Sequence, residues 1–140
     1  MPIALEIVSP ERLLLSRSAD MVVIPAAEGD MGVLEGHTPM IVTLQGGTIS
    51  VYEGETIAEQ LFVVGGFAEV TGERCTVLAN EALPVAELSR DDAERRLQEA
   101  EAEYQQLQGS DIEDQLLALD RVHAARSMME AIEHLLGSSR

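Results

Sequence analysis

At 140 residues and 15.1 kDa the chain has room for one ordinary domain, or a small domain with an appendage, but not for two full cores. Twenty-five acidic against nine basic residues give a formal charge of -16, which repels nucleic-acid phosphates and anionic lipid surfaces alike. Only 3% of residues are aromatic, so the interior must be aliphatic, and no apolar run approaches the roughly 20 residues that span a bilayer. Neither a nucleic-acid partner nor direct membrane insertion is expected.

The opening "MPIALEIVSPERLLL" lacks a charged segment followed by an unbroken apolar one, because Glu6 and Pro10 interrupt it, so no export signal or transit peptide is expected. From residue 3 to about 83 the text is short apolar runs broken by turn residues: "IALEIV", "RLLLS", "MVVIP", "MIVTLQGG", "TISVYEGE", "QLFVVGG", "FAEVTGE" and "CTVLA". Runs of this length, rich in Val, Ile and Leu and spaced near ten residues apart, predict eight to ten antiparallel strands in two facing sheets. Alternation is clear in "TISVY", where Ile49 and Val51 oppose Thr48, Ser50 and Tyr52. It is lost in "LFVV", which suits a strand covered on both faces.

"GDMGVLEGHTP", residues 29–39, is predicted to be a specialised loop that either shapes a turn or meets a partner. Further on, Gly65 and Gly66 interrupt a continuous strand signal, and two accounts stay open: a bulge or close backbone approach that makes "VVGGFAEV" one bent strand or two, or an ordinary hairpin. Cys75, the single cysteine, excludes an internal disulfide and a cysteine metal cage. Alternating in step with Val77 and Ala79, it reads as a small buried core residue.

After "ALPVAEL" the period changes. No glycine or proline occurs between Pro84 and Gly109, and Ala93, Leu97, Ala100, Tyr104 and Leu107 fall on one stripe of a helix capped by Ser89, with Asp91 and Asp92 in its first turn. Gly109 supplies the exit, and Ser110 with Glu113 forms a capping box for a second helix. Ile112, Leu116, Leu119, Ala118, Val122, Ala125, Met129, Ile132 and Leu136 make its apolar stripe, which Gly137 closes. Helices joined so tightly lie antiparallel. The expected architecture is thus a β sandwich of about ten strands (residues 1–86) followed by a C-terminal antiparallel α-helical hairpin (residues 87–140). Two alanine-rich helices have too little core to stand alone, so the hairpin must dock on the sandwich, on a partner, or on each in turn.

No catalytic constellation is present. His37, His123 and His134 are scattered, so a cupin-like metal site is excluded, and there is no nucleophile elbow, Walker loop or dinucleotide fingerprint. Catalytic, cofactor and metal residues are therefore all read as none. On the second helix Arg121, His123 and Arg126 form a small basic island in an acidic protein, set either into solvent or toward an acidic partner.

"VSPE" at 8–11, the run from Gly29 to "GHTP", "LQGG" at 44–47 and "VVGGFAEV" at 63–70, ahead of an acidic helical hairpin, resemble the epsilon subunit of bacterial rotary ATP synthases over essentially the whole chain. The resemblance implies a non-catalytic central-stalk subunit, peripheral to the cytoplasmic side of the bacterial inner membrane. Its sandwich would hold the gamma subunit and touch the c-ring, and its hairpin can rise toward the alpha and beta subunits to block ATP hydrolysis. Gly29, Asp30, Met31, Gly32, His37 and Pro39 then belong to the c-ring and gamma interface, with Asp30 at the place of an acidic ring contact and His37 resembling a histidine near gamma. Arg121, His123 and Arg126 correspond to basic residues that meet an acidic loop of beta. One departure stands out: family members that bind ATP carry an apolar residue followed by Asp-x-x-Arg-Ala. Here "LSRDDA" keeps Leu88 and Ala93 but has Ser89 for the aspartate and Asp92 for the arginine, so no strong nucleotide binding is expected. The competing function, from another class, is a free-standing adaptor with a ligand-binding sandwich and dimerising helices.

Overall fold

Strict alternation builds the first half of the molecule. In β1 (Ile3–Val8) the side chains of Ile3, Leu5 and Ile7 are buried while Ala4, Glu6 and Val8 are not, and the same period runs through β6 (Gly47–Glu53) and β9 (Arg74–Ala79). The computed structural model describes residues 2–138, with side-chain surroundings through residue 134. The other strands are β2 (Leu13–Ala19), β3 (Met21–Ala26), β4 (Gly29–Val33), β5 (Met40–Thr43), β7 (Thr56–Val63), β8 (Gly66–Val70) and β10 (Ala82–Pro84).

They form two five-stranded sheets. Sheet I has the order β2-β1-β9-β8-β5 and sheet II the order β10-β7-β6-β3-β4. Every neighbouring pair is antiparallel except β1 with β9, which is parallel, a departure from the all-antiparallel expectation. Ile3, Leu5, Ile7, Val22, Ile24, Ile49, Val51, Val70 and Val77 meet between the sheets in an aliphatic core. Cys75 sits in that core as expected, and burial pushes its thiol up to about 11, which keeps it protonated and inert at neutral pH. At the corner between the sheets, Arg17 of β2 reaches across to Glu59, at 2.8 Å, and to Glu53.

Gly65 and Gly66 separate two strands, one of the forms the sequence left open, and make neither a bend within one strand nor a hairpin. β7 ends at Val63 in sheet II and β8 begins at Gly66 in sheet I, so the pair carries the chain from one sheet to the other. Both adopt positive φ, +70° and +110°, and a Cβ on Gly66 would lie 2.2 Å from the Leu78 carbonyl oxygen. Only glycine fits that corner.

A 3-10 turn at Val85–Glu87 leads into α1 (Arg90–Gln106), and α2 (Ile112–Ser138) returns alongside it. Ser89 is the N-cap, its Oγ accepting from the Asp92 N–H at 3.3 Å, and Gly109 turns out of the helix at φ +84°. The start of α2 differs from the expected capping box. Its first intrahelical bond runs from the Gln115 N–H to the Asp111 carbonyl, so Asp111 rather than Ser110 precedes the helix, and the Ser110 carbonyl is instead held by Gln115 Nε2. Nor does Gly137 end it, since the helix runs through Ser138.

The α1 stripe is as expected, with Ala93 and Ala100 buried and Leu97, Tyr104 and Leu107 half-buried. In α2, Ala118, Val122, Ala125 and Ile132 are buried, Met129 is half-buried, and Leu136 lies outside the residues whose side chains are described. Ile112, Leu116 and Leu119 are exposed, contrary to expectation; the α2 residues that line the clefts and core shared with the sandwich begin only at Arg121. Further along, α2 lies on the outer face of sheet II, where Met128 and Ile132, with Ala93 of α1, close over Phe62 and Val85. The hairpin therefore docks on its own sandwich.

Candidate functional site

The stretch from Gly29 to Pro39 is half strand and half connection, which corrects its reading as a single loop. Residues 29–33 are β4, the edge of sheet II, paired tightly with β3 from Ala26 opposite Gly29 to Val22 opposite Val33. Gly29 takes φ +132° at the turn, Asp30 and Gly32 are exposed, and Met31 packs against the core. Residues 34–39 then cross to β5, the edge of sheet I, tied by the Gly36 N–H to the Gly72 carbonyl at 2.7 Å. His37 is half-buried, with Nδ1 donating to the Thr38 carbonyl at 2.8 Å, and Pro39 is exposed. Asp30 is thus the second residue of β4, while His37 lies in the connection beyond the strand's far end.

On sheet I, at the end of β5 away from His37 and Pro39, lies a surface that periodicity did not single out. The cross-strand registers place Leu13, Val8, Leu78, Phe67 and Thr43 in one row across all five strands on the outer face of sheet I, with Ile41 two residues from Thr43. Ile41 is 72% exposed, Phe67 43% and Leu78 38%. An apolar row of this length facing water marks a surface built for a partner. Its signal was present in "EIV" and "TVLA", where Val8 and Leu78 occupy the out-facing phase of strands whose in-facing phase is already apolar.

On the opposite face, α2 and sheet II enclose a polar cleft of about 420 Å³ lined by Asp30, Thr48, Ser50, Gln60, His123 and His134 among others. The basic island is divided by the docked hairpin. Arg121 turns to α1 and bonds Glu103 at 2.5 Å, His123 borders the cleft, and Arg126 is exposed.

A second cleft, of about 430 Å³, lies where α1 and α2 meet the sandwich and holds Arg95, Arg96 and Arg121 with Glu81, Glu99 and Glu103. Its arginines are already occupied. Arg96 makes two bonds to Glu81, at 3.0 and 2.6 Å, and one to Asp92 at 2.9 Å, while Arg95 also pairs with Asp92. The Glu81 hydrogen bonds outweigh partial burial and raise the Arg96 pKa further. A phosphate entering this cleft would have to displace carboxylates. Among the described residues no group of three His, Cys, Asp or Glu side chains is placed to hold a metal, and no helix is long and apolar enough to cross a membrane.

Comparison with known proteins agrees with this architecture. Residues 2–85 match the family of the ATP synthase delta/epsilon chain beta-sandwich domain. The chain is 59% identical over 131 residues to the ATP synthase epsilon chain of Granulibacter bethesdensis, covering 94% of this chain and 97% of that one. To the epsilon chain of Paramagnetospirillum magneticum it is 45% identical over 129 residues, covering 92% and 91%. Among solved structures it is similar to a chain of the Euglena gracilis mitochondrial ATP synthase, from a structure of OSCP, F1 and the c-ring, with a TM-score of 0.74 and 26% identity over 94% of this chain and 81% of that one. A chain of the Tetrahymena thermophila mitochondrial ATP synthase shares the fold, with a TM-score of 0.69, 12% identity and coverage of 94% and 97%. Two sheets, a docked acidic hairpin and kinship over nearly the whole length lead to one assignment: the chain belongs to the ATP synthase epsilon chains, structural and regulatory subunits rather than catalytic ones.

Proposed function

We propose that the chain works as a rotor piece of a bacterial ATP synthase, peripheral to the cytoplasmic face of the inner membrane, where it couples gamma to the c-ring. The observation that carries this is the apolar row on sheet I, which no described residue covers and which the row of Ile41, Glu69, Thr76 and Glu6 separates from the His37–Pro39 connection at the other end of β5. In this reading gamma takes the row together with His37 and Pro39, and the edge strand β4, with Gly29, Asp30, Met31 and Gly32, meets the ring. The sandwich, residues 1–86, is the anchor, and the hairpin, residues 87–140, is the movable part. Lifted from sheet II, the hairpin would present Arg121, His123 and Arg126 to an acidic surface of the alpha and beta subunits and resist ATP hydrolysis.

Nucleotide is not the trigger in this reading, because the arginines of the second cleft are neutralised by Glu81, Asp92 and Glu103 and an acid stands in the place of a phosphate-binding arginine. Calorimetry showing micromolar ATP binding to the isolated chain would reverse that conclusion.

The decisive experiment adds back the whole chain, or one ending at Leu88, to the cognate ATPase complex stripped of this subunit. No residue of the sandwich core lies in the hairpin, so the shortened chain keeps its core. Both forms should bind and only the whole chain should slow hydrolysis. Binding without inhibition by either would leave the subunit a coupling piece alone, and absence of binding by both would refute the rotor role.

A further inference from the structure

The hairpin touches its sandwich in two ways. Met128 and Ile132 rest on Phe62 and Val85 through flexible side chains, which can shift to accommodate a change. At Gly46, between β5 and β6, the sandwich backbone meets Ala124 of α2 directly. A Cβ there would lie 2.6 Å from Ala124 Cβ and 2.7 Å from Ala124 Cα, closer than atoms can pack.

The backbone of Gly46 does not itself call for glycine, since its φ is outside the positive range that Gly29, Gly36, Gly54, Gly65, Gly66 and Gly109 occupy. Neighbouring Gly47 has a different reason for being small: its Cβ would strike Pro25 within sheet II. Gly46 is therefore small for the helix alone. Ala124 is the matching concession on α2, a buried alanine at the point of closest approach.

We propose that Gly46 and Ala124 form the latch of the hairpin, a contact with no side chain on the sandwich side that lets α2 lie flat on sheet II, so that one methyl at residue 46 releases the hairpin and leaves the sandwich folded. The latch concerns the docked hairpin of the free chain and stands apart from what the hairpin does once released. Its geometry is unforgiving because a helix backbone cannot yield locally as a side chain can. An added methyl must push α2 away along its whole contact, which separates Met128 and Ile132 from Phe62 as well.

The test is amide hydrogen exchange on the full-length chain, comparing Gly46→Ala and Ala124→Leu with the parent. Both should exchange about tenfold or more faster across the buried part of α2, residues 118–132, while β1 and β9 in sheet I keep their protection. Leucine at 124 is a good helix former outside the sandwich core, so this variant answers the question even if Gly46→Ala disturbs the sandwich. Unchanged protection of α2 in Ala124→Leu, or in a folded Gly46→Ala, overturns the latch.

Discussion

The chain has two phenylalanines, one on either side of the Gly65–Gly66 crossover, and they meet opposite fates. Phe62, at the end of β7, points outward from sheet II and is fully buried, because the hairpin lies over it. Phe67, in β8, points outward from sheet I in the middle of the apolar row and is 43% exposed. Each sheet thus carries apolar side chains on both faces, but among the described residues only the outer face of sheet II is covered by the chain itself. The difference separates what this molecule supplies internally from what another molecule must supply.

Replacing each phenylalanine tests that division. Phe62→Ala removes the centre of the hairpin's seat and should cost about 3 kcal/mol in urea unfolding, part of it as loosened docking of α2. Phe67→Ser should lower the stability of the isolated chain by only about 1 kcal/mol, the worth of a half-open ring paired with Leu78 across the strands. Its loss should appear in association instead, as binding to the gamma-containing complex weakened by roughly 30-fold, or about 2 kcal/mol, if the ring is a buried anchor there. Leu78→Ser, one strand over in the same row, should behave alike. If Phe67→Ser destabilised the free chain as much as Phe62→Ala, or left association untouched, the bare face would lose its meaning as an interface.

Sequence periodicity exposed the strands and the helices but could not place one sheet relative to the other. Alternation separates in-facing from out-facing residues within a strand and is silent about which sheet the strand joins. The pair Gly65–Gly66 was therefore legible as a special backbone and illegible as a crossover. For the same reason "GDMGV" passed for loop, since its glycines are turn formers by composition and only the pairing with β3 makes it a strand. The exposed Ile112, Leu116 and Leu119 were misjudged because helical spacing identifies a face without saying how far along the helix a covering surface extends.

The residues proposed for the site divide similarly. Asp30, His37 and the basic residues of α2 were visible by type and motif. The row of Val8, Phe67 and Leu78 was hidden because each looks like core until the registers align them. Gly46 was hidden within "LQGG", where nothing distinguishes a glycine needed by its own backbone from one needed by a helix some 80 residues later.

The smallest effect sharpens the covered side of the comparison. Arg96 ties α1 to Glu81 in the turn before β10 with two hydrogen bonds, and both side chains remain about a third or more open to water, at 35% and 44%. Screening reduces such a pair to ~1 kcal/mol or less, so Glu81→Gln should lower the stability of the docked state only slightly, and by less as salt is raised. The sign with pH is also fixed for the arginine. Its pKa is raised in the folded chain, so its contribution is complete below the ordinary arginine range and fades only as pH climbs through the raised value, beyond any working condition. Unfolding of the parent and of Glu81→Gln, compared at low and high salt, should therefore give a difference that salt narrows. A loss as large as that of Phe62→Ala would mean that charge, rather than the apolar seat and the close approach at Gly46, holds the hairpin down.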